Sequence, residues 1–259
     1  MKAVVRFASL GSGSQGNALL IEANGTRVLL DCGFGLSETV SRLARLGLEP
    51  SNLDAIIVTH EHGDHGGGVA KLSVRFDIPV YLTRGTLSAL GAEGRSIPRR
   101  ILIDPYTVFA IDGIEVQPFP VPHDAREPAQ FVLSDGAVRL GVLTDTGQPT
   151  PHIAQSLSGV NALVLECNHD LDMLLGGPYP AHLKSRIAGR LGHLANAASA
   201  ELVRVMDCSR LQHLVAAHLS QTNNTPQLAR AALSGALGCA PEWIGVATQD
   251  EGFGWRQIL

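Results

Sequence analysis

Short apolar runs, separated by turn residues, alternate along the whole chain with segments of helical spacing. Leucine and valine recur at three- and four-residue intervals between residues 36 and 46, and Gly47 follows as a common helix stop. The run at residues 54–59, by contrast, has Ala-Ile-Ile-Val at its centre and is typical of a buried strand. Because strands and helices are interleaved from end to end, we expect one α/β domain over residues 1–259 with a layered core.

The same pattern gives approximate bounds for the elements. Asn24-Gly25 is a strong hairpin signal between two of the strands, and Thr225-Pro226 is a typical helix start. We predict strands at residues 4–10, 18–22, 27–31, 54–59, 80–83, 107–111, 114–119, 130–133, 138–143, 162–166 and 214–217. We predict helices at residues 36–46, 69–76, 86–90, 169–175, 182–191, 197–207 and 226–234.

Composition narrows the class of protein. With 45% hydrophobic and 17% charged residues among 259, collagen-like, coiled-coil and intrinsically disordered chains are excluded. The N-terminal residues do not resemble a secretory signal, and no apolar run approaches the roughly 20 residues that span a bilayer. We therefore expect a cytoplasmic protein with no membrane partner, whose four scattered cysteines are reduced. The net charge of −4 gives no global attraction to nucleic acid.

Candidate chemistry is concentrated at His60-x-His62-x-Asp64-His65, which offers four potential metal ligands within six residues. On a helix, His60 and His62 would point to different faces, so we expect a glycine-rich loop after the strand to carry the motif. Further ligands follow other predicted strands and can converge with the motif at one sheet edge. These residues are His123, Asp145 and His218.

This ordered pattern resembles the metallo-β-lactamase fold in its dinuclear hydrolase form. Four further segments resemble its YycJ/WalJ branch: residues 11–17 (Gly-Ser-Gly-Ser-Gln-Gly-Asn), residues 166–170 (Glu-Cys-Asn-His-Asp), residues 192–196 (Gly-His-Leu-Ala-Asn), and His218-Leu-Ser with residues 223–226 (Asn-Asn-Thr-Pro). The resemblance implies an αββα sandwich, two mixed β-sheets flanked by helices, with the metal site at one sheet edge. It also implies that Asp31 supports the metal-binding loop. The implied ligands are His60, His62 and His123 for one ion, Asp64, His65 and His218 for the other, and Asp145 as the bridge.

Two divalent ions about 3.5–4 Å apart can hold a bridging hydroxide and clamp a phosphoryl group. We expect Asp64 and Asp145 to act at this centre and His193, on a loop before a helix, to be the general acid. Zinc is the first expectation for His/Asp ligands, with manganese or iron as alternatives. Candidate substrate contacts are Ser12, Ser14, Asn17, Asn168, His169 and Ser220. Residues 11–17 are compatible with a phosphate-binding nest or a tight turn, and His169 with a phosphate contact or a helix cap.

The favoured function is a metal-dependent phosphodiesterase or nuclease, exonuclease-like on DNA or RNA. One alternative is hydrolysis of a small thioester, lactone or cyclic phosphodiester on the same scaffold. The other alternative is a regulatory metal-binding protein. A serine-nucleophile mechanism has no support because the sequence contains no Gly-x-Ser-x-Gly elbow. The sequence leaves the oligomeric state open.

Overall fold

Most of the predicted strands are present in the computed structural model, which describes residues 5–259. One sheet contains β1 (Val5–Gly11), β2 (Ala18–Ala23), β3 (Thr26–Leu30), β4 (Ala55–Ile57), β5 (Val80–Thr83), β6 (Arg100–Ile103) and β14 (Phe253–Ile258). Its strand order is β14-β1-β2-β3-β4-β5-β6, and the strands from β3 to β6 run parallel. Val4, which begins the first predicted strand, lies outside the described residues.

The second sheet contains β7 (Phe109–Ile111), β8 (Ile114–Pro120), β9 (Ala129–Ser134), β10 (Arg139–Leu143), β11 (Ala162–Glu166), β12 (His213–Ala217) and β13 (Gly245–Val246). Its order is β13-β12-β11-β10-β9-β8-β7, antiparallel from β7 to β10 and parallel from β10 to β13. Both sheets are therefore mixed.

The helices are short and connect the strands. They are α1 (Leu36–Arg45), α2 (Gly63–Gly66), α3 (Val69–Phe76), α4 (Arg84–Ala89), α5 (Gly91–Ser96), α6 (Pro151–Leu157), α7 (Leu171–Gly176), α8 (Ala181–Ile187), α9 (Asn196–Val205) and α10 (Pro226–Leu237). Two single 3₁₀ turns, Pro50–Asn52 and Pro241–Trp243, complete the list. Within residues 5–259, no helix combines the length and the apolar character needed to cross a bilayer.

Alternation along the strands explains the layers. In β2, Leu19 and Ile21 pack between the sheets, whereas Leu20 packs with Leu43 of α1 and Leu72 of α3. The second sheet divides in the same way, because Val164 faces the first sheet while its neighbours in β11 pack with α9 and α10. Strands buried on both faces produce the continuous apolar runs of the sequence. The predicted αββα sandwich of two mixed sheets flanked by helices is confirmed.

The element prediction was wrong in several places. It missed β6, β13 and β14 and the helices α2, α5 and α6. Three of the four residues of β6 are exposed because it is an edge strand, so it lacks an apolar pattern. The helix predicted at residues 182–191 ends at Ile187, and the one predicted at residues 169–175 begins at Leu171 because the Asp170 side chain caps it.

Candidate active site

Strand ends bring the candidate ligands together. Asp31 follows β3, the His60 motif follows β4, and His123, Asp145 and His218 follow β8, β10 and β12. All these strands run in the same direction within their sheets, so their carboxyl ends meet at one edge of the sandwich. Candidate ligands that are far apart in the sequence therefore lie close together in space.

Two trios of ligand atoms form there, each within 4.8 Å. One trio is His60, His62 and His123, and the other is Asp64, His65 and His218. Asp145 reaches toward both trios, because its Oδ2 lies 2.6 Å from His65 Nε2 and its Oδ1 lies 4.0 Å from His123 Nε2. Two further groups of possible ligand atoms overlap these trios: His60, His65 and Asp145, and Asp145, Glu166, His193 and His218.

The backbone turns sharply where three of these side chains enter the site. Asp31, Asp145 and His218 have positive φ values of 63°, 51° and 54°. This left-handed conformation is uncommon for residues other than glycine, and it is concentrated at functional sites. Here it occurs within two residues of the ends of β3, β10 and β12.

The carrier of the His60 motif differs from the expected loop. His62 precedes α2, and Asp64 and His65 lie within this single helical turn. Backbone hydrogen bonds hold the turn, from Asn17 N–H to the Asp64 carbonyl and from Cys32 N–H to the His65 carbonyl, each 2.8 Å long. The chain at Gly33 passes so close to the Asp64 carbonyl that a side chain there would overlap it. Close packing therefore fixes the motif.

The hydrogen bonds of the ring nitrogens show which nitrogen of each histidine is available to a metal. Nδ1 of His65 lies 2.7 Å from Asp31 Oδ2, and Nδ1 of His123 lies 3.0 Å from the Gly192 carbonyl. Nδ1 of His218 lies 3.0 Å from Glu166 Oε1. We assign the proton to Nδ1 in each ring from these acceptors, which leaves Nε2 as the ligand atom.

His60 gives the clearest sign of a missing partner. Its Nδ1 lies 3.0 Å from Thr59 Oγ1, while its buried Nε2 has no hydrogen-bond partner within residues 5–259. Asp145 Oδ2 is likewise buried, and its close neighbour is His65 Nε2 at 2.6 Å. Buried polar atoms are rarely left unpaired, so this donor set fits divalent metal ions.

In His62, Nδ1 rather than Nε2 faces the cluster. Its Nε2 lies 3.2 Å from the Asp124 carbonyl, so its Nδ1, 3.2 Å from His123 Nε2, faces the trio. The side chain is also 29% exposed, unlike the other histidines of the trios. His62 lies at the solvent side of the cluster.

Glu166 was not among the predicted site residues, although it lies in a segment that carries the family resemblance. Its fully buried carboxylate accepts hydrogen bonds from His193 Nδ1 at 2.8 Å and His218 Nδ1 at 3.0 Å, and from the N–H groups of Thr146 and Leu194. The available signal was an acidic residue ending an apolar, fully buried strand. Such a charge is costly unless it is paired, and here it orients two imidazoles.

Burial and neighbouring charges shift the pKa values of these groups, in several cases in opposite directions. Burial and the nearby His65 hold the pKa of His60 well below its usual range. Burial alone would also lower the pKa of His193, but the Glu166 and Asp145 carboxylates outweigh it and raise that pKa to about 10. Burial raises the pKa of Glu166, but His193 and His218 outweigh it and lower the value to about 2. The carboxylates are therefore ionised within a ring of imidazoles.

A cavity of about 350 Å³ opens at the cluster, with His62, Asp64, Asp145, His193 and His218 in its lining. Of the predicted substrate contacts, Ser14, Asn168 and Ser220 line this cavity.

Three other predicted contacts, Ser12, Asn17 and His169, do not line it. Ser12 Oγ donates to Asn17 Oδ1 and accepts from His218 N–H, and the Asn17 amide holds the Gly13 and Asp64 carbonyls. Residues 11–17 form the tight turn rather than an open nest. His169 is buried beside Asn168 and does not cap α7, because Asp170 does.

One wall of the cavity contains none of the predicted site residues. Tyr179, Leu183, Arg186 and Ile187, on and before α8, complete the lining. We call these four residues the α8 wall. No motif identifies them, since they lie on a short, largely exposed helix.

Comparison with known proteins agrees with this architecture. Residues 26–218 match the family model described as a beta-lactamase superfamily domain. The chain is 34% identical to "Exodeoxyribonuclease YycJ" of Bacillus anthracis over 90% of this chain and 89% of that protein. It is 31% identical to "Exodeoxyribonuclease WalJ" of Streptococcus pneumoniae over 93% and 91%.

Among solved structures, the metallo-β-lactamase fold protein YhfI of Bacillus subtilis covers 99% of this chain and all of its own. The TM-score is 0.77 at 15% identity, which supports the same fold. The family model covers most of the chain, and the two nuclease-named relatives align over nearly their full length. The chain therefore belongs to the beta-lactamase superfamily, in the family that contains YycJ and WalJ.

Proposed function

We propose that this protein hydrolyses phosphodiester bonds of nucleic acid as a metal-dependent exonuclease. The observation that carries the proposal is the pair of ligand trios around Asp145, which lies beside a cavity large enough for a nucleotide. The relatives named exodeoxyribonucleases, similar over about nine-tenths of both chains, support the same activity.

We assign one divalent ion to His60, His62 and His123 and a second to Asp64, His65 and His218, with Asp145 between them. The fit rests on three Nε2 atoms that face the cluster while Nδ1 of the same ring is held by another acceptor, and on the unpaired His60 Nε2. Imidazole and carboxylate ligands favour zinc as the first candidate. When bound, such ions supply a hydroxide at neutral pH and positive charge beside the scissile phosphate.

We assign the remaining catalytic and binding roles to individual residues of the chain. Asp145 and Asp64 present carboxylate oxygens to the attacking water, and Asp145 orients it because it lies between the trios. His193 faces the cavity, with its Nδ1 held by Glu166. Its other ring nitrogen can give a proton to the departing alkoxide, so we assign it as the general acid. Ser14, Asn168 and Ser220 offer hydroxyl and amide donors to substrate phosphates.

Two broader assignments accompany this one. We propose that residues 1–259 act as a single catalytic domain, since β14 pairs with β1 and joins the two ends of the chain. We also propose a cytoplasmic location, because Cys32, Cys167, Cys208 and Cys239 are all unpaired thiols, as is usual in a reducing compartment.

Elemental analysis combined with hydrolysis of bis-p-nitrophenyl phosphate and end-labelled DNA and RNA tests the function. We expect up to two ions per chain, metal-dependent cleavage, and release of mononucleotides from one end. Asp145→Asn, which removes the charge between the trios, should keep the fold and lose most of the turnover. A fully loaded protein that cleaves neither nucleic acid would contradict the proposed activity. A content that never exceeds one ion would contradict the dinuclear centre.

A further inference from the structure

The α8 wall differs in chemistry from the rest of the cavity. Leu183 and Ile187 lie four residues apart, on one face of α8. They present apolar surface beside the polar cluster of candidate ligands. Tyr179 is half-buried next to them, between Pro178 and Pro180. Because each proline fixes its own φ, the position of the tyrosine ring is restricted before any ligand arrives. The wall thus combines an aromatic ring, aliphatic surface and one cation.

That cation, Arg186, is already oriented. Its Nε donates to Asp124 Oδ2 at 2.7 Å, and Asp124 Oδ1 lies 3.5 Å from His123 Nε2. Within residues 5–259, the two terminal amino groups of Arg186 make no hydrogen bond. A guanidinium held at Nε keeps the planar pair of donors that binds phosphate in a bidentate manner.

The charge of the site gives Arg186 particular weight. The chain carries a net charge of −4, and Asp64 and Asp145 line the same cavity. Among the lining residues of the described chain, Arg186 is the single lysine or arginine. Arg186 on α8 is therefore the positively charged side chain that this cavity offers to a polyanionic strand.

The wall is also tied to the catalytic loops. His193 N–H donates to the Ile187 carbonyl at 2.9 Å, and Asp124 N–H donates to the Leu191 carbonyl at 3.0 Å. The first bond links the end of α8 to His193, and the second links the loop after α8 to the loop of His123. The wall and the reacting centre consequently keep a fixed relative position.

We infer that the α8 wall is a nucleotide-binding subsite, in which Arg186 binds a backbone phosphate while Tyr179 and Leu183 pack against the attached nucleoside. The inference rests on the proposed function and deepens it, because it makes the enzyme selective for diesters that carry a nucleoside. An aromatic face stacks on any base, so the subsite gives affinity with little sequence preference.

Two small diesters separate the wall from the reacting centre. Thymidine 5′-(p-nitrophenyl phosphate) and methyl p-nitrophenyl phosphate share the leaving group and the diester, and differ by the nucleoside. We expect Tyr179→Ala to lower kcat/KM for the nucleoside ester about tenfold, mainly through KM, and at least fivefold more than for the methyl ester. Tyr179→Phe should retain most of the activity. Tyr106→Ala, at a tyrosine that is 77% exposed outside the cavity, is the matched control.

Arg186 is tested by binding. A labelled single-stranded oligonucleotide with phosphorothioate linkages, which resist hydrolysis, is titrated into the metal-loaded protein at several salt concentrations. Arg186→Ala should weaken binding and reduce the slope of log K against log salt by about one, with Arg186→Lys intermediate. Arg99→Ala is the control, because the Arg99 side chain is likewise 57% exposed beside an aspartate.

The outcomes distinguish this inference from the proposed function. Equal losses on the two esters, or an unchanged salt slope, would overturn the α8 subsite while cleavage by the wild-type protein still supported the nuclease. If the wild-type protein cleaved no nucleic acid, the proposed function would fail. The binding titration would then decide the subsite separately: a tenfold weaker complex for Tyr179→Ala supports it, and no change overturns it.

Discussion

At the scale of single residues, the site depends on which nitrogen each imidazole keeps free. Asp31, the Gly192 carbonyl and Glu166 accept hydrogen bonds from Nδ1 of His65, His123 and His218, respectively, and so direct each Nε2 to the cluster. The sequence predicted the candidate ligands, but the acceptors that set their orientation lie elsewhere in the chain, at the ends of β3 and β11 and in the loop before α9. Glu166 in particular is the last residue of the strand predicted at residues 162–166. Nothing local predicts that its carboxylate accepts hydrogen bonds from two histidines.

Asp31→Asn tests this orientation. The Asp31 carboxylate accepts from His65 Nδ1, from the Thr59 hydroxyl and from Thr59 N–H, and a neutral amide is a weaker acceptor. We expect metal affinity to fall by about 10- to 100-fold, measured by competition with a zinc chelator. Asp54→Asn is the control, since that carboxylate caps a distant backbone N–H at the surface. Equal affinities for wild type and Asp31→Asn would contradict the role of Asp31.

His193→Ala separates chemistry from metal binding. His193 lies outside both trios, although it forms a further group of possible ligand atoms with Asp145, Glu166 and His218. Because the proposed centre assigns no ion to His193, the metal content should stay unchanged. Loss of a general acid typically lowers the rate about 10²–10⁴-fold. The loss should be large for DNA, whose leaving alkoxide needs a proton, and small for bis-p-nitrophenyl phosphate, whose phenolate does not. An equal loss on both substrates would instead indicate a positioning role, and a fall in bound metal would make His193 a ligand.

At the scale of elements, the strands buried on both faces were the easiest to predict. The bounds predicted for β5 and β11 match the structure, because a continuous apolar run has few other interpretations. Edge strands such as β6 and β14 carry no such pattern, since solvent replaces one of their packing partners. The α8 wall was invisible for a related reason: an exposed helix acquires its role only when the fold places it beside the cavity.

The turn α2 depends on a glycine from another element. A Cβ at Gly33 would overlap the Asp64 carbonyl, so Gly33→Ala should push α2 and its two ligands away. Overpacking of this kind typically costs about 1–3 kcal/mol, which urea unfolding measures, and metal content should fall with it. Gly35→Ala is the control, since open space surrounds that position and its φ of −62° suits alanine. Unchanged metal content in Gly33→Ala would contradict the proposed dependence.

At the scale of the whole molecule, each ligand trio joins the two sheets. The residues after β4 belong to one sheet, whereas His123 and His218 follow strands of the other. Each trio takes two ligands from the first sheet and one from the second, and Asp145 adds another from the second. A metal at either trio would therefore connect the halves of the sandwich at their shared edge. The family resemblance implied which residues belong together, but the sequence alone does not show that they come from both layers.

Removal of metal should for this reason lower the stability of the whole sandwich. A ligand that binds only the folded state stabilises it by about 4 kcal/mol at a thousand times its Kd. For a chain of this length, where 1 kcal/mol shifts Tm by about 2–4 °C, we expect chelation to lower Tm by about 10 °C. Calorimetry measures the Tm of the metal-loaded protein, of the same protein after EDTA and dialysis, and of that protein after zinc is restored. His152→Ala, at a histidine outside the trios, should show the same metal-dependent shift, whereas His60→Ala should show a smaller one. An identical Tm with and without metal would mean that the ions do not hold the sheets together.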